Sequence, residues 1–269
     1  MVQFLIRYIS LKALLLCGFT VVVTVMISSF RVPAKPYKYT LKTIVIDPGH
    51  GGSDPGCIAT ATQEKTIALQ VSLKLGKMLK DSFPLMRVIF TRKTDKFVDL
   101  NERAVLANRE KADLFLCIHV NTSSSTVAYG TETFAMGLHK AEGNLAVAKR
   151  ENEVILLEKD YKEKYEGYDP NSPESNIIFT LNQNAFLNQS LALAAKIENE
   201  FKKSKRFSRG VKQAGFLVLW KCSMPSVLCE TGFLSNPAER AYITSDSCQN
   251  IIATNLYKAI KSYKAEVER

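Results

Sequence analysis

Histidine is nearly absent from this 269-residue chain; there are three, His50, His119 and His139. No H-E-x-x-H pair is present, so spacing alone does not announce a metal site. Six cysteines occur, none at metal-ligand spacing. Cys17 lies in an apolar N-terminal stretch, and the five others are an odd number that argues against a disulfide framework. Cys117 and Cys229 stand inside apolar runs and read as small core residues. A bridge between two of Cys57, Cys222 and Cys248 stays open. Internal repeats, low-complexity tracts and a second domain are not visible. No nucleic-acid motif accompanies the 36 Lys and Arg, and no basic stripe is interleaved with aromatics. The net charge of +10 therefore points to an anionic lipid or polymer, not to nucleic acid. The densest run, Lys202-Lys203-Ser204-Lys205-Arg206, suits a solvated helix end.

There is one long hydrophobic run. Arg7 and Lys12 precede the apolar residues Ala13 to Ile27, followed by Ser28-Ser29, Arg31 and the prolines Pro33 and Pro36. A positive start, an apolar centre and small residues near a cut are the layout of a secretory signal. The run is short of the ~20 residues of a spanning helix, so a cleaved signal peptide and an uncleaved signal anchor both fit residues 1–30. Either implies export to the periplasm or cell envelope, with membrane contact only through this segment. Leu14-Leu15-Leu16-Cys17 is not a lipidation box, because the leucine before the cysteine is too large. Residues 31–41 read as a linker.

The 46% hydrophobic content allows a full core in the remaining chain. Thr43 to Asp47 form an apolar β-branched strand stopped by Pro48-Gly49, and a glycine-rich loop follows. Ile67, Val71 and Leu75 recur at helical spacing and predict a helix over 63–80, with Thr60 and Gln63 resembling a capping box. A second strand covers 87–92, and Asp99 with Glu102 opens a helix to Lys111. Residues 113–120 are a near-continuous apolar run, as in a strand buried on both faces. Gly130 to Met136 alternate like a strand nearer an edge. A charged helix is expected over 142–165 and a core helix over 184–201. Phe216–Trp220 and Ser226–Cys229 read as strands. Asn236-Pro237 with Glu239 starts a helix, and the last helix covers 249–264. Strands alternating with helices imply an α/β domain, a mainly parallel sheet with helices on both faces. In such sheets, sites gather at the carboxyl ends of strands.

His50, His119 and Glu230 each fall at such an end, and Glu64 follows His50 closely. Two imidazoles and a carboxylate are a common ligand set for one catalytic zinc, with water in the fourth position. That assigns His50, Glu64 and His119 to the metal and leaves Glu230 as base. Glu230 follows the apolar Ser226-Val227-Leu228-Cys229, so partial desolvation should raise its pKa toward that of a general base. Each residue also has an ordinary explanation. A glycine-rich loop with one His is commonly just a turn, and Glu64 suits a first helical turn by charge alone. His119 could be a core histidine and Glu230 a solvated strand end. His139 reads as a surface residue.

The segments Ile44-Val45-Ile46-Asp47-Pro48-Gly49-His50-Gly51-Gly52, Cys117-Ile118-His119-Val120-Asn121 and Leu228-Cys229-Glu230-Thr231-Gly232-Phe233-Leu234-Ser235-Asn236 resemble the zinc-dependent N-acetylmuramoyl-L-alanine amidases of bacterial cell walls. The resemblance runs from about Lys42 to Tyr263, with the motifs in the family's order, and the catalytic domain is set at 42–265. It implies a six-stranded, mostly parallel sheet in a single domain, one Zn2+ held by His50, Glu64 and His119, and Glu230 as the catalytic carboxylate. The implied reaction is hydrolysis of the amide between N-acetylmuramic acid and the L-alanine of peptidoglycan stem peptides, in wall remodelling and daughter-cell separation. Val120 and Cys229 depart from the family's usual residues without removing a ligand.

The charged segment at about 140–182 is similar in position to an insertion of division-associated members, where a helix covers the zinc cleft until an activator protein displaces it. Glu151 and Glu153 are the candidate autoinhibitory residues; a solvated surface helix is the plainer reading. Two further functions stay in view: another zinc peptidase of the wall, and a catalytically inactive wall-binding module. Retention of all four site residues argues against the second.

Overall fold

The apolar runs become the centre of a six-stranded sheet. The computed structural model of the protein describes residues 40–138, 142–169, 172 and 185–269. Its strands are β1 (Thr43–Pro48), β2 (Ile58–Ala59), β3 (Thr62–Gln63), β4 (Arg87–Phe90), β5 (Leu114–Asn121), β6 (Thr131–Met136), β7 (Ser208–Ala214) and β8 (Ser226–Phe233). The helices are α1 (Glu64–Ser82), α2 (Leu100–Arg109), α3 (Glu142–Asn152), α4 (Tyr161–Lys164), α5 (Leu187–Lys203), α6 (Leu217–Trp220), α7 (Pro237–Thr244) and α8 (Asp246–Val267). The sheet order is β4-β1-β5-β8-β6-β7, with β2 and β3 forming a separate small hairpin. All pairings in the large sheet are parallel except β6 with β8.

β1, β5, β6 and β8 are buried along their whole length, which requires cover on both faces. On one face α1 packs on β1 and β5, α5 packs on β6 and β7, and α8 lies across α1 and α5. Ile67, Val71, Leu75, Leu193, Ile197, Ile252 and Leu256 fill this layer. Each contributes about 1.5–3 kcal/mol on burial. On the other face Val45, Phe115, Cys117, Phe134 and Leu228 pack with Leu100 and Ala104 of α2, Val147 and Ala148 of α3, and Leu217 of α6. Side chains alternate along a strand, so Asp47, His119 and Glu230 emerge on this second face, at the carboxyl ends of β1, β5 and β8. His119 stands opposite Glu230, and Glu230 opposite Glu132, in one row across the sheet.

Several local expectations fail for physical reasons. Phe216–Trp220 is not a strand: Leu217–Trp220 is one helical turn, with Phe216, Leu217 and Leu219 buried in the second layer. The missing strand is β7, Ser-Arg-Gly-Val-Lys-Gln-Ala, a half-exposed edge with no apolar alternation. β6 is therefore interior, between β8 and β7. Thr60 and Gln63 form no capping box; Thr60 sits at φ 56° in the hairpin turn, and Gln63 makes no side-chain cap. Asp99 precedes α2 without capping it and pairs with Lys164 instead. The long charged helix breaks at Asn152 into a 3-10 turn (Glu153–Leu157) and the short α4. Asn236 behaves as read, its side chain accepting from the Ala238 and Glu239 amides, a cap worth about 1 kcal/mol. Cys57, Cys117, Cys222, Cys229 and Cys248 are all free thiols. Among the described residues no helix is long and apolar enough to cross a membrane. The readings of residues 1–39, of His139 and of most of 170–184 lie outside the described residues.

Candidate metal centre and active site

Four side chains from four segments converge. His50 from the loop after β1, Glu64 from the first turn of α1, His119 from β5 and Glu151 from α3 place one ligand atom each within 4.8 Å of one another. His50 Nε2 lies 3.1 Å from Glu64 Oε1 and 3.2 Å from Glu151 Oε2. His119 Nδ1 lies 3.0 Å from Glu64 Oε1 and 3.1 Å from Glu151 Oε2. A tetrahedral site with zinc–ligand bonds of about 2.0–2.2 Å has ligand–ligand edges of roughly 3.3–3.5 Å, close to these separations. His50 Nε2 and Glu151 Oε2 are buried with no hydrogen-bond partner, and a cation among the four atoms would satisfy both. His50 Nδ1 faces Asp54 Oδ2 at 2.7 Å, which fixes the ring with Nε2 turned inward. The amides of Val120 and Cys57 donate to the two Glu64 oxygens, at 2.8 and 3.0 Å. Burial alone would raise the Glu64 carboxyl; His50 above all, with hydrogen bonds from both histidines, brings it well below the usual range. The residues present fit one divalent cation bound by nitrogen and oxygen.

The loop that carries His50 is strained and clamped. His50 itself has φ 59°, in the left-handed region that non-glycine residues seldom enter. A Cβ on Gly56 would stand 2.6 Å from the His50 ring and 2.7 Å from Glu64 Oε2, so only glycine lets the loop close over both ligands. Two buried arginines hold the loop carbonyls. Arg103 donates to Pro48 O and His50 O at 2.9 and 3.0 Å, and Arg92 to Pro48 O and Gly49 O at 3.0 and 2.6 Å. Asp47, fully buried, pairs with Arg103 at 2.9 Å. Burial alone would raise the Asp47 carboxyl; Arg103, with hydrogen bonds from Cys117 and Thr91, outweighs it and holds the group ionised. Arg103→Met should therefore cost about 3–5 kcal/mol in urea unfolding, because a buried carboxylate loses its partner.

Glu151 reaches the cluster because Arg150 and α3 deliver it. Its Oε1 accepts from Arg150 Nε and Nη2 at 2.9 and 2.7 Å, leaving Oε2 aimed at the histidines. Arg150 also donates to Asn121 Oδ1 and Thr122 O, at 3.1 and 3.3 Å, which pins α3 to the end of β5. Its Nη2 stands 3.6 Å from Glu230 Oε1. Glu230 is completely buried, and neither oxygen has a hydrogen-bond partner. Burial, and then the negative Glu151, push its carboxyl well above the ordinary value. A buried, raised carboxylate beside a cation cradle is the arrangement of a general base.

The sequence-predicted residues thus separate. His50, Glu64 and His119 come together, with Glu230 beside His119. Of the two regulatory candidates Glu151 joins them, and Glu153 is exposed on the following 3-10 turn. Two residues along a helix turn a side chain by about 200°, so both glutamates cannot face the cleft. Arg92, Arg103, Asp54 and Arg150 were not singled out by sequence reasoning. For Asp54 its place four residues after His50 was a usable signal; the arginines have none beyond their charge.

Comparison with known proteins agrees with this geometry. The family model described as N-acetylmuramoyl-L-alanine amidase matches residues 44–262. The N-acetylmuramoyl-L-alanine amidase AmiA of Escherichia coli K12 is 31% identical over 226 residues, 82% of this chain and 76% of AmiA. AmiC of Escherichia coli O6:H1 is 30% identical over 83% of this chain, which spans only about half, 53%, of AmiC. Among solved structures, the CwlD amidase from Clostridioides difficile in complex with the GerS lipoprotein superimposes with a TM-score of 0.62 and 26% identity, over 84% of this chain and 99% of that one. The chain belongs to the N-acetylmuramoyl-L-alanine amidase family, hydrolases that act on peptidoglycan.

Proposed function

We propose that this chain hydrolyses the amide joining N-acetylmuramic acid to L-alanine with one Zn2+ held by His50, Glu64 and His119, that Glu230 is its general base, and that Glu151 keeps it shut. The observation that carries this reading is the convergence of four ligand atoms beside a buried carboxylate with no hydrogen-bond partner. Two imidazoles and carboxylate oxygen suit zinc among the divalent metals. When bound, such an ion supplies Lewis acidity, polarising the scissile carbonyl and acidifying water. Glu230 takes a proton from the attacking water and returns it to the departing alanine nitrogen. Its buried site makes the neutral form accessible, as the second transfer needs. Glu151 occupies the fourth position of the cradle, where water or substrate would have to enter.

The segment 140–182 is then a regulatory insertion in a catalytic domain over 42–265, and an activator protein would displace α3. That CwlD is seen with the GerS lipoprotein supports a protein partner of this kind. Export by residues 1–30, supported by the apolar run from Ala13 to Ile27, and a role in daughter-cell separation, which rests on the place of the 140–182 insertion, complete the proposal. Removing the metal by chelation should abolish dye release from labelled peptidoglycan by the Glu151→Ala chain, and zinc should restore it. With free zinc at 100 times Kd the bound ion should stabilise the fold by about 2.7 kcal/mol, roughly 5–10 °C in Tm. Unchanged Tm and activity after chelation would reject the metal centre. Mass mapping of the products separates an amidase from a peptidase.

A further inference from the structure

Beside the metal cradle lies a cavity of about 370 Å³ whose lining includes three cations, Arg150, Arg209 and Lys212, and one carboxylate, Glu132. Glu132 is 2% exposed and sits next to Glu230 in register. Arg209 Nε binds it at 2.9 Å, Lys212 also pairs with it, and Asn121 Nδ2 donates to it at 2.6 Å. Neutralising Glu132 takes one cation, yet two bind it. Both are held in place from behind: the Arg209 guanidinium stands 5.0 Å over the Phe233 ring, and the Lys212 ammonium 5.7 Å over Phe134. Both also keep part of their surface in solvent. The cavity is one side chain from the reaction centre, because Arg150, which lines it, lies 3.6 Å from Glu230.

We infer that this cavity is a carboxylate subsite, in which Arg209 and Lys212 hold the free acid of the stem-peptide residue that follows L-alanine. The inference rests on the amidase reading above and adds a specificity to it. Excess positive charge on a rigid, partly solvated floor favours an anion, and Arg209 offers a guanidinium for charge-assisted hydrogen bonds. With α3 displaced, Arg150 leaves, and Arg209 and Lys212 still exceed Glu132 by one charge.

The test is calorimetric binding of N-acetylmuramoyl-L-alanyl-D-glutamate and of its diamide to the full chain carrying Glu151→Ala, which opens the cleft, together with Glu230→Gln, which removes turnover. The acid should bind about tenfold tighter than the diamide, the worth of one partly solvated charge-assisted hydrogen bond. Arg209→Gln and Lys212→Met should each remove that preference and leave the diamide's affinity unchanged, while Arg209→Lys keeps most of it. Equal affinity for acid and diamide, variants that weaken both ligands alike, or no binding of either would overturn the inference. Peptidoglycan hydrolysis by the Glu151→Ala chain, measured in parallel, separates the two failures. Hydrolysis without acid preference rejects the subsite alone; acid preference without hydrolysis keeps the subsite and rejects the amidase reading.

Discussion

Replacing Glu230 by glutamine should lower peptidoglycan hydrolysis about 10³-fold, within the usual range for a positioned general base, while metal content stays at the wild-type level. The fold should lose nothing and gain slightly. Glu230 is fully buried, both oxygens are without hydrogen-bond partners, and the nearest cation, Arg150, is shared with Glu151. A charge so placed burdens the native state, and removing it relieves desolvation. A structural carboxylate would behave oppositely: Asp47, equally buried, is met by Arg103, Thr91 and Cys117, and its removal should destabilise. The check is activity, bound metal and urea midpoint measured on one preparation of Glu230→Gln. Full activity would remove Glu230 from the chemistry.

Glu151→Ala should raise basal hydrolysis roughly 30-fold, the equivalent of ~2 kcal/mol of bias toward the closed state. Glu151 contributes to closure directly through the histidines on one oxygen, and indirectly with the other by orienting Arg150 toward Asn121 and Thr122. Its loss frees the fourth position and strips Arg150 of its firmest partner, while α3 stays tethered by the Arg150 bonds to Asn121 and Thr122, by Asn152 to Gly215 O and the Leu217 amide, and by its apolar contacts. Glu153→Ala, a change at an exposed position, should leave the basal rate alone. Equal effects from the two changes would mean that general loosening of the segment, not a plug at the centre, controls the rate.

What the sequence made legible follows from where apolar patterning is strong. β1, β5 and β8 are continuous apolar strands, so His50, His119 and Glu230 could be placed at their ends, and a parallel sheet puts those ends along one edge. β7 carries Arg209 and Lys212 in a polar edge strand that resembles loop composition, so both the strand and its two cations went unread. Glu151 and Glu153 were indistinguishable because the choice depends on helix phase, which the break at Asn152 and the docking of Arg150 decide. Phe216–Trp220 shows the same limit from the other side: a short buried apolar run fits a strand or one helical turn, and tertiary packing chose the turn. The arginine clamp on the His50 loop was invisible because its acceptors are backbone carbonyls, which no residue pattern encodes.

The most direct measurement is mass analysis of purified peptidoglycan digested by the Glu151→Ala chain, with zinc and after chelation. Free stem peptides that begin with L-alanine are expected, formed only when zinc is present. Products that keep muramic acid attached to alanine, or the same products after chelation, would contradict the zinc amidase reading.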